Sequence, residues 1–302
     1  MIKRTIYFGN PTYLSVKLGQ LIVQVPENQT GGKKIAPRTI PIEDIGVVVI
    51  DNKQVTLTSS VMSELLDNNC AVITCSDNHL PTGLMLPLYC NTIQNERFRQ
   101  QIDASVPLTK QLWQQTIQAK IANQASVLYY VTGEPHGNML QWSSDVRSGD
   151  SGNLEARAAA YYWKTIFGDP DFIRGRYEEG ENIFLNYGYS ILRAIVARSL
   201  VSSGLLPTLG IHHHNRYNAY CLADDIMEPY RPFVDKLVID IIKEVDGFEL
   251  TTFVKTKFLS IPVLDVRING HLSPLSIAVT TTTASLVKCF SGEARKIIYP
   301  EM

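Results

Sequence analysis

The sequence predicts an α+β chain built of two unlike domains. A small β-rich N-terminal domain spans residues 1–80, a linker follows over 81–95, and a larger all-α C-terminal domain fills 96–302. Two changes of pattern predict this. Before about residue 80 the hydrophobic runs are short, rich in β-branched and aromatic residues, and broken by Gly-Asn-Pro, Gly-Gly-Lys-Lys and Asp-Asn-Lys. Such runs between turn residues read as strands. After residue 95 the apolar residues return with helical period, as at Leu112, Ile117, Ile121 and Leu128. At 302 residues and 45% hydrophobic content, the chain is long enough and apolar enough for two buried cores.

The strands follow in order: RTIYFGN, YLSVKLGQLIVQV, RTIPIEDIGVVVID and VTLTS. Within the third, IGVVVI is apolar throughout, the mark of a strand covered on both faces. Ser59 or Ser60 is the expected cap of a helix that places Val61, Met62, Leu65 and Leu66 on one side. CAVITCS returns to strand, and HLPTGLMLP (79–87) reads as linker or last hairpin. Gly-Gly-Lys-Lys at 31–34 lacks the glycine spacing and the Ser/Thr of a phosphate loop and reads as a hairpin tip. In the second half TKQLWQQTIQAKIANQASVLYYVTG, GNLEARAAAYYWKTIFG and FLNYGYSILRAIVARSLVSSG are helices, the last two stopped by Gly168 and Gly204. A fourth, DDIMEPYRPFVDKLVIDIIKEV, is kinked or split by Pro229 and Pro232.

Composition narrows the function classes. The formal net charge is −1, so no global basic field advertises nucleic acid, although local patches remain open. The five cysteines have no C-x-x-C spacing and their number is odd, which argues for a reducing compartment and against a disulfide framework or zinc ribbon. MIKRTIYFGN has a basic start with no long apolar run behind it, so it does not read as a signal peptide. No stretch approaches the ~20 apolar residues of a membrane span. A soluble cytoplasmic protein is expected.

The densest chemistry lies in LGIHHHNRYNAYCLADDIMEPYRP, residues 209–232. Asp224 and Glu228 are i, i+4 and Asp225 and Glu228 are i, i+3, so on a helix either pair shares a face and repels. A cation is the natural counterweight; acids favoured by a helix N-terminus are the plainer alternative. Imidazole with hard carboxylate oxygens suits Mg²⁺ or Mn²⁺ better than a structural zinc, which prefers closed Cys/His sets. Three adjacent histidines cannot all face one site, and spacing alone does not choose among His212, His213 and His214. Glu155, on a helix among small and apolar neighbours, is a further carboxylate that either faces water or is aimed at something.

Four blocks resemble one family. SGDSGNLEARAAAYYW (148–163), LNYGYSILRA (185–194), LPTLGIHHHN (206–215) and LADDIMEPYRP (222–232) are similar, in order and spacing, to the spacer integrase of CRISPR adaptation, in its type II-like variant. The resemblance runs from Ile6 to about Glu293. It implies a Mg²⁺ or Mn²⁺ site with Glu155, His213 and Glu228 as ligands and catalytic residues, and Asp225 as an orienting neighbour or part of a second metal site. His213 is the family's histidine because it stands three residues after Gly210; His212 and His214 flank it. The implied activity is that of a metal-dependent DNA endonuclease and integrase of antiviral defence. A spacer 3′-hydroxyl attacks a phosphodiester of the repeat array, without a covalent enzyme intermediate. Also implied are a homodimer formed through the N-terminal domain, a catalytic helical domain, and a small ferredoxin-like partner protein, with other type II adaptation proteins as further partners.

DNA has to reach such a site. Arg147, Arg157, Lys164, Arg193, Arg198 and Arg216 lie in or beside these blocks and are candidate phosphate contacts, with Lys288 in SLVKCF a further basic candidate and surface ion pairing the plainer alternative. Tyr187, Tyr189, Tyr217 and Tyr220 are expected to be packing aromatics more than stacking platforms for a frayed DNA end. Two other functions compete. One is a stand-alone metal-dependent nuclease on branched or linear DNA, with water as nucleophile. The other is a non-enzymatic DNA-binding scaffold whose acids are structural. A zinc hydrolase is disfavoured because H-E-x-x-H is absent.

Overall fold

The computed structural model describes residues 3–29, 31, 35–77, 79–175 and 179–302; Gly32, Lys33 and Lys34 of the predicted hairpin tip lie outside the described residues. The chain divides into two compact units, Met1–Cys90 and Asn91–Met302.

The first unit holds β1 (Arg4–Phe8), β2 (Thr12–Lys17), β3 (Gln20–Gln24), β4 (Arg38–Pro41), β5 (Ile45–Ile50), β6 (Val55–Leu57), α1 (Ser59–Asp67), β7 (Ala71–Cys75) and β8 (Pro81–Met85). They form two sheets, ordered β1-β5-β7-β8 and β4-β3-β2-β6. IGVVVI is β5, paired in parallel with β1 on one side and β7 on the other and buried from Ile45 to Val49. Its unbroken apolar run thus matches a central strand. The β2–β3 hairpin turns at Leu18 and Gly19, both left-handed (φ 52° and 69°), the backbone a two-residue turn of the mirror type demands. The α1 cap is Thr58, one residue before the expected serines; its hydroxyl accepts the Val61 amide. Pro81–Met85, at the start of the predicted linker, pairs antiparallel with β7 as an edge strand. Phe8, Leu14, Leu21, Ile45, Val48, Val61 and Leu65 meet in the core between these elements.

The second unit is helical: α2 (Gln94–Ile102), α3 (Val106–Thr132), α4 (Gly137–Asp145), α5 (Leu154–Ile166), α6 (Glu181–Ser202), α7 (Cys221–Met227), α8 (Arg231–Ile242), α9 (Thr252–Phe258) and α10 (Leu275–Phe290). One hairpin, β9 (Asp265–Ile268) with β10 (His271–Pro274), departs from the all-α expectation. Asn269-Gly270, both left-handed, makes its turn. An Asn-Gly pair between alternating residues is the sequence signal for such a turn. The fourth predicted helix is split as its prolines require. α7 ends at Met227, Glu228–Tyr230 make a 3₁₀ turn around Pro229, and α8 begins with Pro232 in its first turn, where the missing N–H costs nothing.

The long helices α3 and α6 carry the core. α6 meets α8 closely because Gly188 is a glycine: a Cβ there would lie 2.6 Å from Val234 Cγ1 and 3.0 Å from the Phe258 ring. α3 runs 27 residues from a Ser105 cap to a left-handed Gly133. Its polar side chains are held by Arg295–Met302. Gln115 bonds Arg295 O and the Ile297 amide, Thr116 bonds the Tyr299 hydroxyl, and Asn123 bonds Pro300 O and the Met302 amide. A second bond from Asn123 Nδ2 reaches Pro229 O at 2.8 Å, which ties α3 to the turn carrying Glu228.

Candidate metal centre

Glu155 is aimed by the loop before it. In SGDSGN, Gly149, Asp150 and Asn153 all take left-handed backbone (φ 70°, 48° and 51°), a conformation that Gly and short Asn or Asp side chains tolerate best. The chain therefore doubles back, and the buried Asp150 carboxylate accepts the Leu154 and Glu155 amides, each at 2.9 Å. A carboxylate on free N–H groups at a helix start suits both the hydrogen bonding and the dipole. Glu155 is fixed in the first turn of α5.

The histidine loop is organised around Asp225. Its carboxylate, fully buried on α7, accepts the backbone amides of Ile211 (2.7 Å), His212 (2.9 Å) and His213 (3.3 Å), and is also hydrogen-bonded to His213 Nδ1. Gly210 lets the loop come this near: a Cβ there would meet the His213 carbonyl oxygen and stand 2.8 Å from Asp225 Oδ2. The three histidines have different surroundings. His212 stacks on Trp113 of α3, with centroids 4.1 Å apart and planes within 2°. His213 meets the same indole edge-on at 5.5 Å. His214 is exposed. The hydrogen bond to Asp225 raises the His213 pKa; burial opposes it, and the fields of Asp225, Glu228 and Glu155 add to the rise. Burial, with the neighbouring His213, holds His212 below its ordinary value. With Nδ1 taken by Asp225, Nε2 is the His213 nitrogen left for a ligand.

The three acids of α7 and its following turn are each differently engaged. Asp224 pairs with Arg193 through two hydrogen bonds (2.6 and 3.0 Å) and accepts from Asn218. Asp225 holds the histidine loop. Glu228, also buried, stands between two cations, Arg231 Nε at 2.9 Å and Lys120 Nζ at 2.6 Å. Lys120 also donates to Glu155 Oε1 at 2.7 Å. One ammonium on α3 thus bridges carboxylates from two other elements. Burial alone would raise the Glu228 carboxyl, but Arg231 and Lys120 outweigh it and hold it below the usual range. Burial works against the Lys120 charge, and Glu228 and Glu155 more than restore it.

Among the described residues no three His, Cys, Asp or Glu side chains stand close enough to hold a metal ion together; Lys120 occupies the ground between the two glutamates. The donor types nevertheless fit a hard divalent cation, with two carboxylates and a neighbouring imidazole whose orientation a second carboxylate fixes. One atom supports the fit. Glu228 Oε2 is buried and lies at ion-pair distance from Lys120, but among the described residues it is outside hydrogen-bond geometry with any donor. Sequence reasoning singled out Glu155, His213, Asp225 and Glu228. It missed Lys120, Trp113, Arg231 and Asp150. The signal for Lys120 was present: it is a cation in the middle of the stripe of α3 that buries Trp113, Ile117 and Gln124.

The basic candidates fall into two kinds. Arg193 is committed to Asp224, and Arg198 is half-buried. Arg147, Arg157, Lys164, Arg216 and Lys288 are exposed, Arg157 lying over the Trp142 ring and Arg216 over Tyr217. Tyr187 and Tyr189 are core residues, whereas Tyr217 is 81% exposed. Tyr189 instead serves a buried cluster. With Tyr162 it hydrogen-bonds the Asp235 carboxylate, and its ring lies beneath the guanidinium groups of Arg174 and Arg231.

Residues 6–256 match the family model described as CRISPR associated protein Cas1. The chain is 38% identical over 305 residues to the CRISPR-associated endonuclease Cas1 of Neisseria meningitidis serogroup C, covering 100% of this chain and 97% of that protein. Among solved structures it is similar to a casposase bound to its integration product, at TM-score 0.78 and 20% identity over 98% of this chain and 92% of that one. It is also similar to a chain of a Cas6-RT-Cas1–Cas2 complex, at TM-score 0.74 and 18% identity over 98% of this chain and 36% of the larger one.

Proposed function

Because the chain belongs to the CRISPR-associated Cas1 family, we propose that it is a metal-dependent DNA endonuclease and integrase that inserts spacer DNA into a repeat array. The observation that carries the mechanism is the convergence of Glu155 and Glu228, from two separate elements, on a single cationic position beside His213. In the reaction a 3′-hydroxyl of the incoming DNA forms a new ester bond to a phosphorus of the repeat. The old P–O bond breaks and its 3′-oxygen leaves as a hydroxyl, so no enzyme-bound intermediate is required. A Mg²⁺ or Mn²⁺ ion held by Glu155, His213 and Glu228 would supply Lewis-acid activation and charge neutralisation at the phosphate. The protein's own share is positioning. Asp150 fixes the start of the Glu155 helix, Asp225 orients His213, and Arg231 holds Glu228 ionised. Asp225 is a supporting residue here, since its two oxygens are already occupied by four donors.

DNA would follow the exposed cations Arg147, Arg157, Lys164, Arg216 and Lys288, with Tyr217 as the aromatic offered to a base. Arg193, tied to Asp224, is better suited to holding the histidine loop's neighbour than to meeting phosphate. The similar chain in a complex with Cas2 supports a small ferredoxin-like partner. We assign homodimer formation to the β-rich unit and place the protein in the cytoplasm with its DNA. No described helix is long and apolar enough to cross a membrane. The test is strand transfer of short duplexes with free 3′-hydroxyls into a supercoiled plasmid carrying repeats, with the small partner and Mg²⁺ or Mn²⁺. Wild type should give joined products, and Glu155→Ala, His213→Ala and Glu228→Ala should give none, while His212→Ala retains joining. Cleavage without joining would make it a nuclease; no DNA chemistry with either metal would leave a scaffold.

A further inference from the structure

The bridge made by Lys120 carries a consequence for how the site takes up its ion. Lys120 is seven residues after Trp113 on α3, so the face that stacks His212 also delivers the ammonium to the glutamates. Its side chain is only 11% exposed, and the Glu228 side chain 6%. Glu228 would otherwise hold its charge in a nearly dry space, with the quarter-exposed Glu155 carboxylate beside it, and a buried charge with too little compensation is strongly unfavourable. Arg231 faces Glu228 through Oε1 alone and has no ion pair with Glu155 among the described residues. The Lys120 bridge is also uneven. It has good hydrogen-bond geometry to Glu155 Oε1, but toward Glu228 Oε2 it has only the short distance of an ion pair.

We propose that Lys120 is a resident placeholder of the metal centre: its ammonium neutralises Glu155 and Glu228 in the ion-free protein and is displaced when a divalent cation takes those oxygens. This rests on the metal-site reading above and goes beyond it, because it makes ion uptake an exchange of one cation for another. Lys120 is a positioning residue and not a ligand. It keeps two acids from different elements together without metal, and it lowers metal affinity by the strength of the contacts that must be broken.

The test is calorimetric titration of Mn²⁺ into the DNA-free, full-length protein, paired with thermal melting in EDTA and in Mn²⁺. Lys120→Met should melt lower than wild type in EDTA, recover disproportionately on adding Mn²⁺, and bind Mn²⁺ roughly tenfold more tightly, about the worth of one charge-assisted hydrogen bond no longer broken. Lys120→Arg keeps the cation and offers a fork to both carboxylates, so it should fold as wild type does and bind Mn²⁺ more weakly. A merely structural lysine predicts wild-type Mn²⁺ affinity in both variants once they are folded. Unchanged or weaker Mn²⁺ binding in a folded Lys120→Met, or unchanged binding in Lys120→Arg, overturns the proposal. Glu155→Ala and Glu228→Ala separate the two levels. If they bind Mn²⁺ as wild type does, the metal-site reading itself fails. If they lose Mn²⁺ while the Lys120 variants match wild type, only the placeholder fails.

Discussion

Replacing Asp225 by Asn changes one atom and tests the organisation of the histidine loop. Asp225 has no exposed surface and receives four donors, three backbone amides and His213 Nδ1. Asn keeps the shape and one acceptor oxygen. The remaining oxygen can serve one pair of donors, either Ile211 and His212 or the two nitrogens of His213, while the new NH₂ is turned against the other pair. Two charge-assisted hydrogen bonds are lost, nominally about 1.5–3 kcal/mol each. Losses within one network do not add fully, so the expected cost is about 3 kcal/mol. For a helical body of this size that corresponds to a fall in Tm of about 6–12 °C. Circular dichroism melts at neutral pH measure it, and the His213 imidazole, followed by NMR, should titrate lower than in wild type because its main pKa-raising partner is gone. A variant that melts within about 2 °C of wild type, with His213 titrating unchanged, would refute the picture of Asp225 as the organiser of the loop.

Gly210→Ala should abolish joining activity, because the added methyl meets backbone and the buried Asp225 carboxylate, neither of which can yield; a wild-type rate in the plasmid assay would contradict this. Gly188→Ala should destabilise by about 1–3 kcal/mol through overpacking between α6 and α8, read from urea midpoints. Asp150→Ala should cost about 1–2 kcal/mol as a lost helix cap and lower activity through Glu155; unchanged stability would show the cap to be idle. Burial raises the Asp235 carboxyl from 3.8 to about 6, against the hydrogen bonds of Tyr189 and Tyr162. An acid raised on folding binds its proton more tightly in the native state, so its stabilising contribution is full below pH 3.8 and is lost as pH rises through about 6. Relative to Asp235→Asn, wild type should therefore lose stability between those two pH values, by an amount on the order of 3 kcal/mol, measured as the pH dependence of the difference in unfolding free energy.

Most of the fold was legible because its signals are local. The apolar run of β5, the helical period of α3 and α6, and the prolines after Met227 each dictate backbone over a few residues. The β9–β10 hairpin was equally local, with Asn269-Gly270 at its turn, and was overlooked inside a helical context. Asp225 and Glu228 stood out because a His and acidic cluster is rare in a sparsely charged sequence, whereas Glu155, and His213 among its neighbours, were picked out by the family resemblance of their blocks. Lys120 and Trp113 did not stand out, because their meaning lies in partners distant in sequence: Glu155 is 35 residues from Lys120. Pairing at that range is set by how α3, α5 and α7 pack, which no window of the sequence contains. Asp224 shows the reverse case. As one of two adjacent aspartates it invited a metal role, and it is bound to Arg193.

The fastening of α3 by Arg295–Met302 bears on how the protein is made. The contacts from Gln115, Thr116 and Asn123 span sequence separations of 177 to 183 residues. During vectorial synthesis α3 emerges early, yet its polar groups wait for a segment translated much later. Long-range closure of this kind is slow and leaves apolar surface exposed meanwhile. Since the same helix presents Lys120 and Trp113, the reactive centre is among the last features to set. A growing chain on the ribosome can therefore complete the β-rich unit Met1–Cys90 long before α3 receives its last partners.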